Sequence, residues 1–535
     1  MYKSGLLFFI LFISLNVNAQ FVGIIPQPQE VVEAKDSLSV KGYLNIAYGS
    51  ETNVSTIQYV RKELANKFQL LSATNSNSKT TITFRQSKSK TKTNGAYSLT
   101  VNDNGIFIEA STPEGFLYGA SSLIQLLSYH QSKSGIKIPY VKITDEPSNQ
   151  WRGFMLDESR HFFGKEKVKQ LLDWMAFYKL NKFHWHLTDE PAWRIEIKQY
   201  PFLTLVGGVG NYTNPISPAQ YYTQEDIREI VSYASDLQIE VIPEIDMPGH
   251  ATASNRAYPQ FSGGGTKDHP DFTFHPAKEG TYQYLNNILQ ETNNLFPSNM
   301  LHLGGDEVSY GSDAWNQDLS IQKLKADKKL ENNKAVETYF MQRMADSVYA
   351  MGAKVLVWDE MAEADLPRDK TIQFYWRHDK PAQLDLLLKN GFQVIICPRI
   401  PFYFDFVQED SHRYGRKWNK DFNSLSTVYH FDMENIKAKE TFPNQILGLQ
   451  GNLWTERVTD TDRFDFMVFP RISALAESAW TNKNRKNFAN FQTILRKHLL
   501  LYKSAGLYYF DPFNPQNNPE PNVNNSTKKY IDNPE

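Results

Sequence analysis

The chain has a single cysteine, Cys397, among 535 residues. No intramolecular disulfide can form, so the fold must hold through burial and hydrogen bonding alone. Cys397 falls in the apolar run from Phe392 to Pro398 and reads as a small buried hydrophobe rather than a nucleophile. A long basic run is also missing, and the formal net charge is only -2, which argues against nucleic acid and anionic membrane surfaces as partners. Beyond the N-terminus no apolar run is long enough to span a bilayer. There is no His/Cys cluster at zinc spacing, no phosphate-cradling glycine loop and no Gly-x-Ser-x-Gly turn. Neither a metal nor a cofactor is therefore expected.

What is present is ordinary in bulk and unusual in placement. Hydrophobic residues make up 41% and charged residues 22%, as in a globular protein of several domains. Aromatics reach 13%, with 10 Trp, and several Trp stand beside acids instead of inside apolar runs. That placement suits sugar rings, whose C–H faces pack on indoles, although many of these Trp are expected in the core. Residues 1–19 read as a secretory signal: Lys3, an apolar stretch from Leu6 to Leu15, and a small-residue cleavage site at Val17-Asn18-Ala19. With so little cysteine for a secreted chain, a bacterial periplasm is the expected compartment.

Residues 20–147 read as a smaller α+β domain. Its strand-like runs are Thr80–Phe84, Ala96–Val101 and Gly105–Glu109, and helical patterns lie around Ile57–Leu70 and Leu117–Leu127. From residue 148 to 505, apolar runs alternate with amphipathic stretches. The runs are Gly153–Leu156, Lys182–Leu187, Ile239–Ile245, Met300–Leu303, Lys354–Trp358, Thr371–Trp376, Phe392–Ile396 and Gln445–Leu449. That alternation predicts an α/β fold with a (β/α)8 TIM barrel as its catalytic domain. Residues 506–535 are Asn- and Pro-rich, and from Asn514 onward they read as a weakly ordered tail.

The runs end in chemistry. In chain order they lead to Asp157, to Asp189-Glu190, to Asp246 and His250, to Asp306-Glu307, to Trp358-Asp359-Glu360, to Trp376, to Tyr403 and Asp405, and to Trp454 and Glu456. Active sites of this fold form at the C-terminal ends of strands. In Gly304-Gly305-Asp306-Glu307 the glycines leave backbone space for a ligand. The adjacent acids repel, so one stays ionised while the other keeps its proton. A pocket of acids, Trp, Tyr and one His suits glycoside hydrolysis, with a proton donor for the leaving oxygen and negative charge for an oxocarbenium-like transition state.

Several of these segments, taken together and in order, resemble glycoside hydrolase family 20, the β-N-acetylhexosaminidases. They are Trp151–Phe162, His184–Asp189, Pro243–His250, His302–Glu307, Gln373–Trp376 and Leu453–Glu456, with Gly115–Leu127 similar to a helix of the family's preceding domain. The resemblance implies an exo-acting, retaining enzyme in which the substrate's own acetamido oxygen is the nucleophile, giving an oxazolinium ion. It implies Glu307 as general acid/base, Asp306 at the acetamido nitrogen and Tyr403 at the acetamido oxygen. Trp358, Trp376 and Trp454 would wall the N-acetyl group and the ring, with Trp418 as a further sugar contact. Arg152 and Glu456 would bind the terminal sugar's hydroxyls, with Asp405 nearby, while Asp189 and His250 would support Glu307. Arg160, His161, His184 and His186 read instead as braces of strand ends.

The substrate implied is an oligosaccharide or glycan with a terminal N-acetylhexosamine, and a homodimer is compatible with the sequence. Three other readings stay open: a retaining glycosidase with an enzyme nucleophile (Asp157, Glu244 and Glu360 are available), a disaccharide-releasing member of the family, and a binding protein that has lost catalysis. Two segments depart from the family's commoner wording, Asp189-Glu190-Pro191-Ala192-Trp193 and Gln450. Both bear on loop geometry and leaving-sugar contacts.

Overall fold

The computed structural model describes residues 22–73, 80–87, 93–433, 436 and 441–523. The signal-like stretch, residues 1–19, lies outside them, as do residues 524–535 of the C-terminal segment.

The first domain is one mixed sheet of eight strands. Its main path runs Glu30–Val40, Gly135–Asp145, Tyr97–Asn102, Gly105–Ala110, Thr81–Gln86, Tyr43–Ala47, Leu71–Ala73. The pairs from Glu30–Val40 to Gly105–Ala110 are antiparallel and the rest are parallel. Helix Pro113–Tyr129 starts where Thr112 caps Gly115 N–H and Pro113 supplies a pre-set φ. It is buried continuously from Gly115 to Leu127. A helix apolar on every side needs neighbours on every side. It packs on the sheet with one face and on helices Lys165–Phe177 and Phe488–Ser504 of the second domain with another. Polar pins cross the same boundary: Ser121 Oγ and Gln125 Nε2 both donate to the Phe177 carbonyl, at 2.7 Å each.

The eight apolar runs all become strands of a closed parallel barrel. These are β1 (Trp151–Asp157), β2 (Lys182–His186), β3 (Glu240–Glu244), β4 (Met300–His302), β5 (Lys354–Trp358), β6 (Thr371–Tyr375), β7 (Gln393–Ile396) and β8 (Ile446–Leu453). Each pairs with the next in sequence, and β8 pairs back onto β1. Parallel strands covered on both faces need no polar alternation, which is why they read as continuous apolar runs. The interior holds Met155, Ile242, Leu356, Ile372, Phe374, Ile395 and Cys397, a packed core beneath the C-terminal mouth. Among the described residues no helix is long and apolar enough to cross a membrane.

The C-terminal segment departs from the expected loose tail as far as residue 523. The Glu520 carboxylate accepts hydrogen bonds from Arg413 N (2.7 Å), Tyr414 N (3.0 Å) and Arg463 Nη1 (2.9 Å). Asn518 also caps the Tyr509 carbonyl. Asn and Pro content signalled irregular backbone, and the backbone is irregular, but side chain–backbone bonds tie it to the barrel.

Candidate active site

The C-terminal mouth of the barrel opens into a cavity of about 660 Å³, within the range of small-molecule sites. Asp306 and Glu307 follow β4, with Trp358 at the end of β5, Trp376 after β6 and Tyr403 after β7. Trp454 and Glu456 follow β8, Arg160 follows β1, and His250 follows β3. Their neighbours in space are thus set by strand order and not by sequence distance.

The turn between β4 and the acids depends on its glycines, for a reason other than ligand access. Gly304 has φ +66°, and a Cβ there would lie 1.7 Å from Asp246 Oδ1. The space is taken by the Asp246 carboxyl, not by a ligand. Gly305, with φ +89°, gives its space to Met341 and Met361. Glu307 and His250 themselves hold positive φ, +50° and +54°. Neither is glycine or asparagine, so each stores some backbone strain, as residues at functional sites often do.

The two adjacent acids differ in surroundings. The Asp306 side chain is 11% exposed and that of Glu307 is 31% exposed, so Glu307 faces the mouth. Burial pushes Asp306 up to about 7; His250 pulls it back, while Glu360, Glu244 and Glu307 push it further. Asp246 beneath is raised well above the carboxylate range by burial and by Asp306. His250 Nε2 lies 3.6 Å from Asp306 and 3.7 Å from Glu307, poised between both, while its Nδ1 donates to Asp189 at 3.1 Å. Burial would lower His250, but Asp189, Asp306 and Asp246 outweigh it and keep the imidazolium. Asp189 is held well below its usual range: burial opposes this, but Arg160, His250 and His186 prevail.

Behind this layer a sealed chain of charges runs into the barrel. His186 donates to Asp189 (2.8 Å) and to Glu244 (2.6 Å), and Glu244 also accepts the Trp358 indole N–H at 2.9 Å. His184 receives a hydrogen bond from Gln450 at 3.0 Å and is lowered to about 4 by burial, so it stays neutral. Gln450 therefore fixes a histidine inside the barrel; it does not line the cavity. His184, Glu244 and His302 bring potential ligand atoms within 4.8 Å of one another, as do Asp246, His250 and Asp306. The Glu244 carboxylate in the first group is already engaged by His186 and Trp358.

Trp358, Trp376, Tyr403 and Trp454 form an aromatic box facing the acids. Ring centroids are 5.9 Å apart for Trp358–Trp454 and 6.2 Å for both Trp376–Tyr403 and Tyr403–Trp454. Glu360 orients Trp376 through a 3.1 Å bond to its indole N–H. Burial holds the Tyr403 phenol well above its ordinary value, so it remains a neutral hydroxyl donor. Across the barrel from β4, a charged wall rises from β1, β7 and β8. Arg416 bonds Glu456 at 2.8 Å and Asp405 at 3.1 Å, and Arg160 bonds Asp189 at 2.8 Å. Burial would raise Glu456, but Arg416 and Arg160 lower it.

Of the expected site residues, Asp306, Glu307, Tyr403, His250, Trp358, Trp376, Trp454 and Glu456 line the cavity. Asp189 stands behind Arg160 and His250, and Asp405 stands behind Arg416. Trp418 is buried and reaches the cavity only through Arg399, whose guanidinium stacks on it at 3.9 Å. Arg152 is a correction. It lies at the start of β1, at the opposite end of the barrel, where it donates to Lys179 O (2.8 Å), Asn149 O (2.8 Å) and Tyr118 Oη (2.7 Å). Arg160, expected as a brace, is the arginine of this motif that lines the cavity. Strand polarity could have separated the two. At about 3.3 Å per residue, a strand carries its first and last residues to opposite mouths, and only the last face the site. Arg399, Arg416, His269 and Tyr310 also line the cavity and come from loops or single helical turns too short to carry a periodic signal.

The carboxylates named as alternative nucleophiles are engaged elsewhere. Asp157 caps Ser159 N and Arg160 N, Glu244 is sealed in the barrel, and Glu360 holds Trp376. None of them lines the cavity.

Comparison with known proteins agrees with this fold. The catalytic domain of glycosyl hydrolase family 20 matches residues 149–483, and domain 2 of the same family matches residues 22–146. The chain is 30% identical to a beta-hexosaminidase of Porphyromonas gingivalis, covering 92% of this chain and 65% of that protein. It is also 30% identical to a beta-hexosaminidase of Vibrio furnissii, covering 87% and 78%. Among solved structures, an exo β-N-acetylglucosaminidase from Vibrio harveyi in complex with N-acetylglucosamine superposes with a TM-score of 0.82 at 29% identity, over 92% of this chain and 79% of that one. A β-N-acetylhexosaminidase from Bacteroides fragilis gives a TM-score of 0.77 at 31% identity, over 91% and 96%. By fold and by sequence, the chain belongs to glycosyl hydrolase family 20.

Proposed function

We propose that this protein is an exo-acting, retaining β-N-acetylhexosaminidase that uses the substrate's acetamido oxygen as nucleophile. The observation that carries this reading is the census of cavity carboxylates. Five acids line it: Glu190, Asp268, Asp306, Glu307 and Glu456. Glu456 is paired with Arg416, Glu190 is paired with His269, and Asp268 is exposed. Asp306 and Glu307 complete the five, adjacent in sequence with one histidine between them. A retaining enzyme with its own nucleophile needs two carboxylates on opposite faces of the sugar, and neighbours on one strand end serve that poorly.

The chemistry then divides as follows. Glu307, facing the mouth, gives its proton to the leaving glycosidic oxygen. The aromatic box holds the N-acetyl group, and Tyr403 donates to its oxygen, aligning that oxygen with the anomeric carbon. As the oxazolinium forms, positive charge develops at nitrogen. The Asp306 carboxylate, in a site that water enters poorly, offsets it. Glu307 then takes a proton from water as the ring reopens, and the product keeps its β configuration. The charged wall of Arg160, Arg416 and Glu456 suits the hydroxyls of one terminal sugar. Its mutual pairing supports a pocket that ends there, which favours release of single sugars over disaccharides.

Progressive fluorination of the N-acetyl methyl should lower kcat/KM steeply, because it weakens the attacking oxygen. Indifference to fluorination with cleavage rate-limiting, or covalent labelling of an enzyme carboxylate by a 2-fluoro-glycoside, would give the reaction to an enzyme nucleophile instead.

A further inference from the structure

The mouth of the cavity on the side of β2, β3 and β4 carries groups with no part in the reaction so far described. Asp189-Glu190-Pro191-Ala192-Trp193 folds as a tight turn, with Asp189 N–H donating to Ala192 O at 3.2 Å and Thr188 bridging Trp193. Pro191 has no N–H to donate, and the turn carries Glu190 outward at its tip. There the Glu190 carboxylate meets His269 Nδ1 at 3.0 Å, on the loop between β3 and β4. The His269 ring lies nearly parallel to Tyr310, with centroids 5.2 Å apart and planes at 20°. Tyr310 follows the acids by a single turn, and its hydroxyl donates to Glu307 Oε1 at 3.4 Å. The exposed Asp268 completes the rim.

We propose that Tyr310, His269 and Glu190 form a leaving-group subsite for an uncharged pyranose, with Tyr310 as its platform, and that the Tyr310 hydroxyl also holds the Glu307 carboxyl in register. This rests on the reading of Glu307 as the general acid.

Position is the first support. An acid that protonates the glycosidic oxygen has the leaving sugar on its outward side, and the outward neighbour of Glu307 is Tyr310. The sugar that stays behind is accounted for by the box and the charged wall, both on the strands from β5 round to β1. Chemistry is the second. An aromatic pair at the edge of a pocket offers a flat face to sugar C–H bonds. The Glu190 and Asp268 carboxylates accept hydrogen bonds from hydroxyl or acetamido N–H groups. His269 bonds Glu190, which raises the His269 pKa, and Asp268 adds a second acid to the rim, so acids outnumber bases among these three residues. Such a rim favours a neutral sugar over a uronate or a sulfated one. Order is the third. The His269–Glu190 bridge links loops from two strands, so the platform is built before substrate arrives.

The test compares two substrates that share the terminal sugar and need the same acid: N,N′-diacetylchitobiose, whose leaving group is a neutral pyranose, and methyl β-N-acetylglucosaminide, whose leaving group has no ring. Tyr310→Ala and His269→Ala should lower kcat/KM on the disaccharide by roughly 10- to 100-fold more than on the methyl glycoside, mostly through KM. Tyr310→Phe keeps the ring and loses the hydroxyl. It should lower kcat on both substrates by a similar factor and shift the pH profile, which a purely structural role would not do. Circular dichroism of each variant checks the fold. Equal losses on both substrates for Tyr310→Ala and His269→Ala would overturn the platform, and an unchanged pH profile for Tyr310→Phe would overturn the link to Glu307. A wild type inert on both substrates would instead remove the hexosaminidase reading beneath the proposal.

Discussion

The two mouths of the barrel are both rich in buried charge, and they use it in opposite ways. At the N-terminal mouth each charge has its answer. Arg152 fills its donors with carbonyls and the Tyr118 hydroxyl. Lys179, fully buried with φ +61°, pairs with Asp145 and receives support from Tyr97, and Trp480 Nε1 donates to the same carboxylate at 3.0 Å. The first domain borders this mouth, where a cavity of about 1100 Å³ lies between the two, and these polar groups fix the domains together. At the C-terminal mouth charges of both signs crowd round an open cavity. One imidazolium stands between Asp306 and Glu307 without a short bond to either, and Asp306 is left near the middle of its titration. A network packed between two domains makes structure, and one that shifts a carboxyl beside open space makes a reactive site.

The largest expected effect breaks the reactive mouth without touching the other. Glu307→Gln should lower kcat on natural glycosides by about 10²–10⁴-fold while the melting temperature stays close to wild type. The loss should shrink for aryl glycosides with acidic leaving groups; retention of full activity on an alkyl glycoside would remove Glu307 from the acid role. Next comes Asp306→Asn, which should cost about 10²–10³-fold, mainly in kcat. Because burial holds Asp306 at about 7, its carboxylate form declines as pH falls below that value. Wild-type kcat/KM should therefore fall on the acidic side of neutrality, and the variant should lose that limb. A pH–rate profile that keeps the limb in Asp306→Asn would assign it to another group.

The two arginines of the β1 region sharpen the comparison. Arg160→Lys should raise KM by about 10-fold or more, since one ammonium cannot replace the forked guanidinium that faces both the sugar wall and Asp189. Arg152→Met should leave the kinetics of the folded enzyme unchanged and cost about 2 kcal/mol of stability, from carbonyls left buried without donors. Thermal melts and steady-state kinetics on both variants separate the roles; a kinetic defect in Arg152→Met at full stability would contradict the placement.

Much of this contrast was legible in the sequence, and the part that was not has physical reasons. The eight strands could be read because parallel barrel strands bury both faces. The acid pair could be read because it ends one of them. Arg152 and Arg160 share one short motif, and telling them apart requires knowing where β1 begins, ends and points, which follows only from closure of the barrel. Gly304 read as room for a ligand because a missing side chain announces space without saying what fills it, and Asp246, from a different strand end, fills it. His269, Tyr310, Arg399 and Arg416 sit on loops or single helical turns whose course depends on tertiary contacts, so nothing periodic marked them. The segment around Glu520 read as loose because composition records backbone irregularity but not the side-chain bonds that tie it down.

That tie has a consequence for binding. Glu520 anchors Arg413 and Tyr414, two residues short of Arg416, which grips Glu456 and Asp405 in the sugar wall. The loop is thus ordered during folding, and the entropy of fixing it is lost once, before any sugar arrives. Affinity for the terminal sugar is in this sense written partly in Glu520, which does not line the cavity.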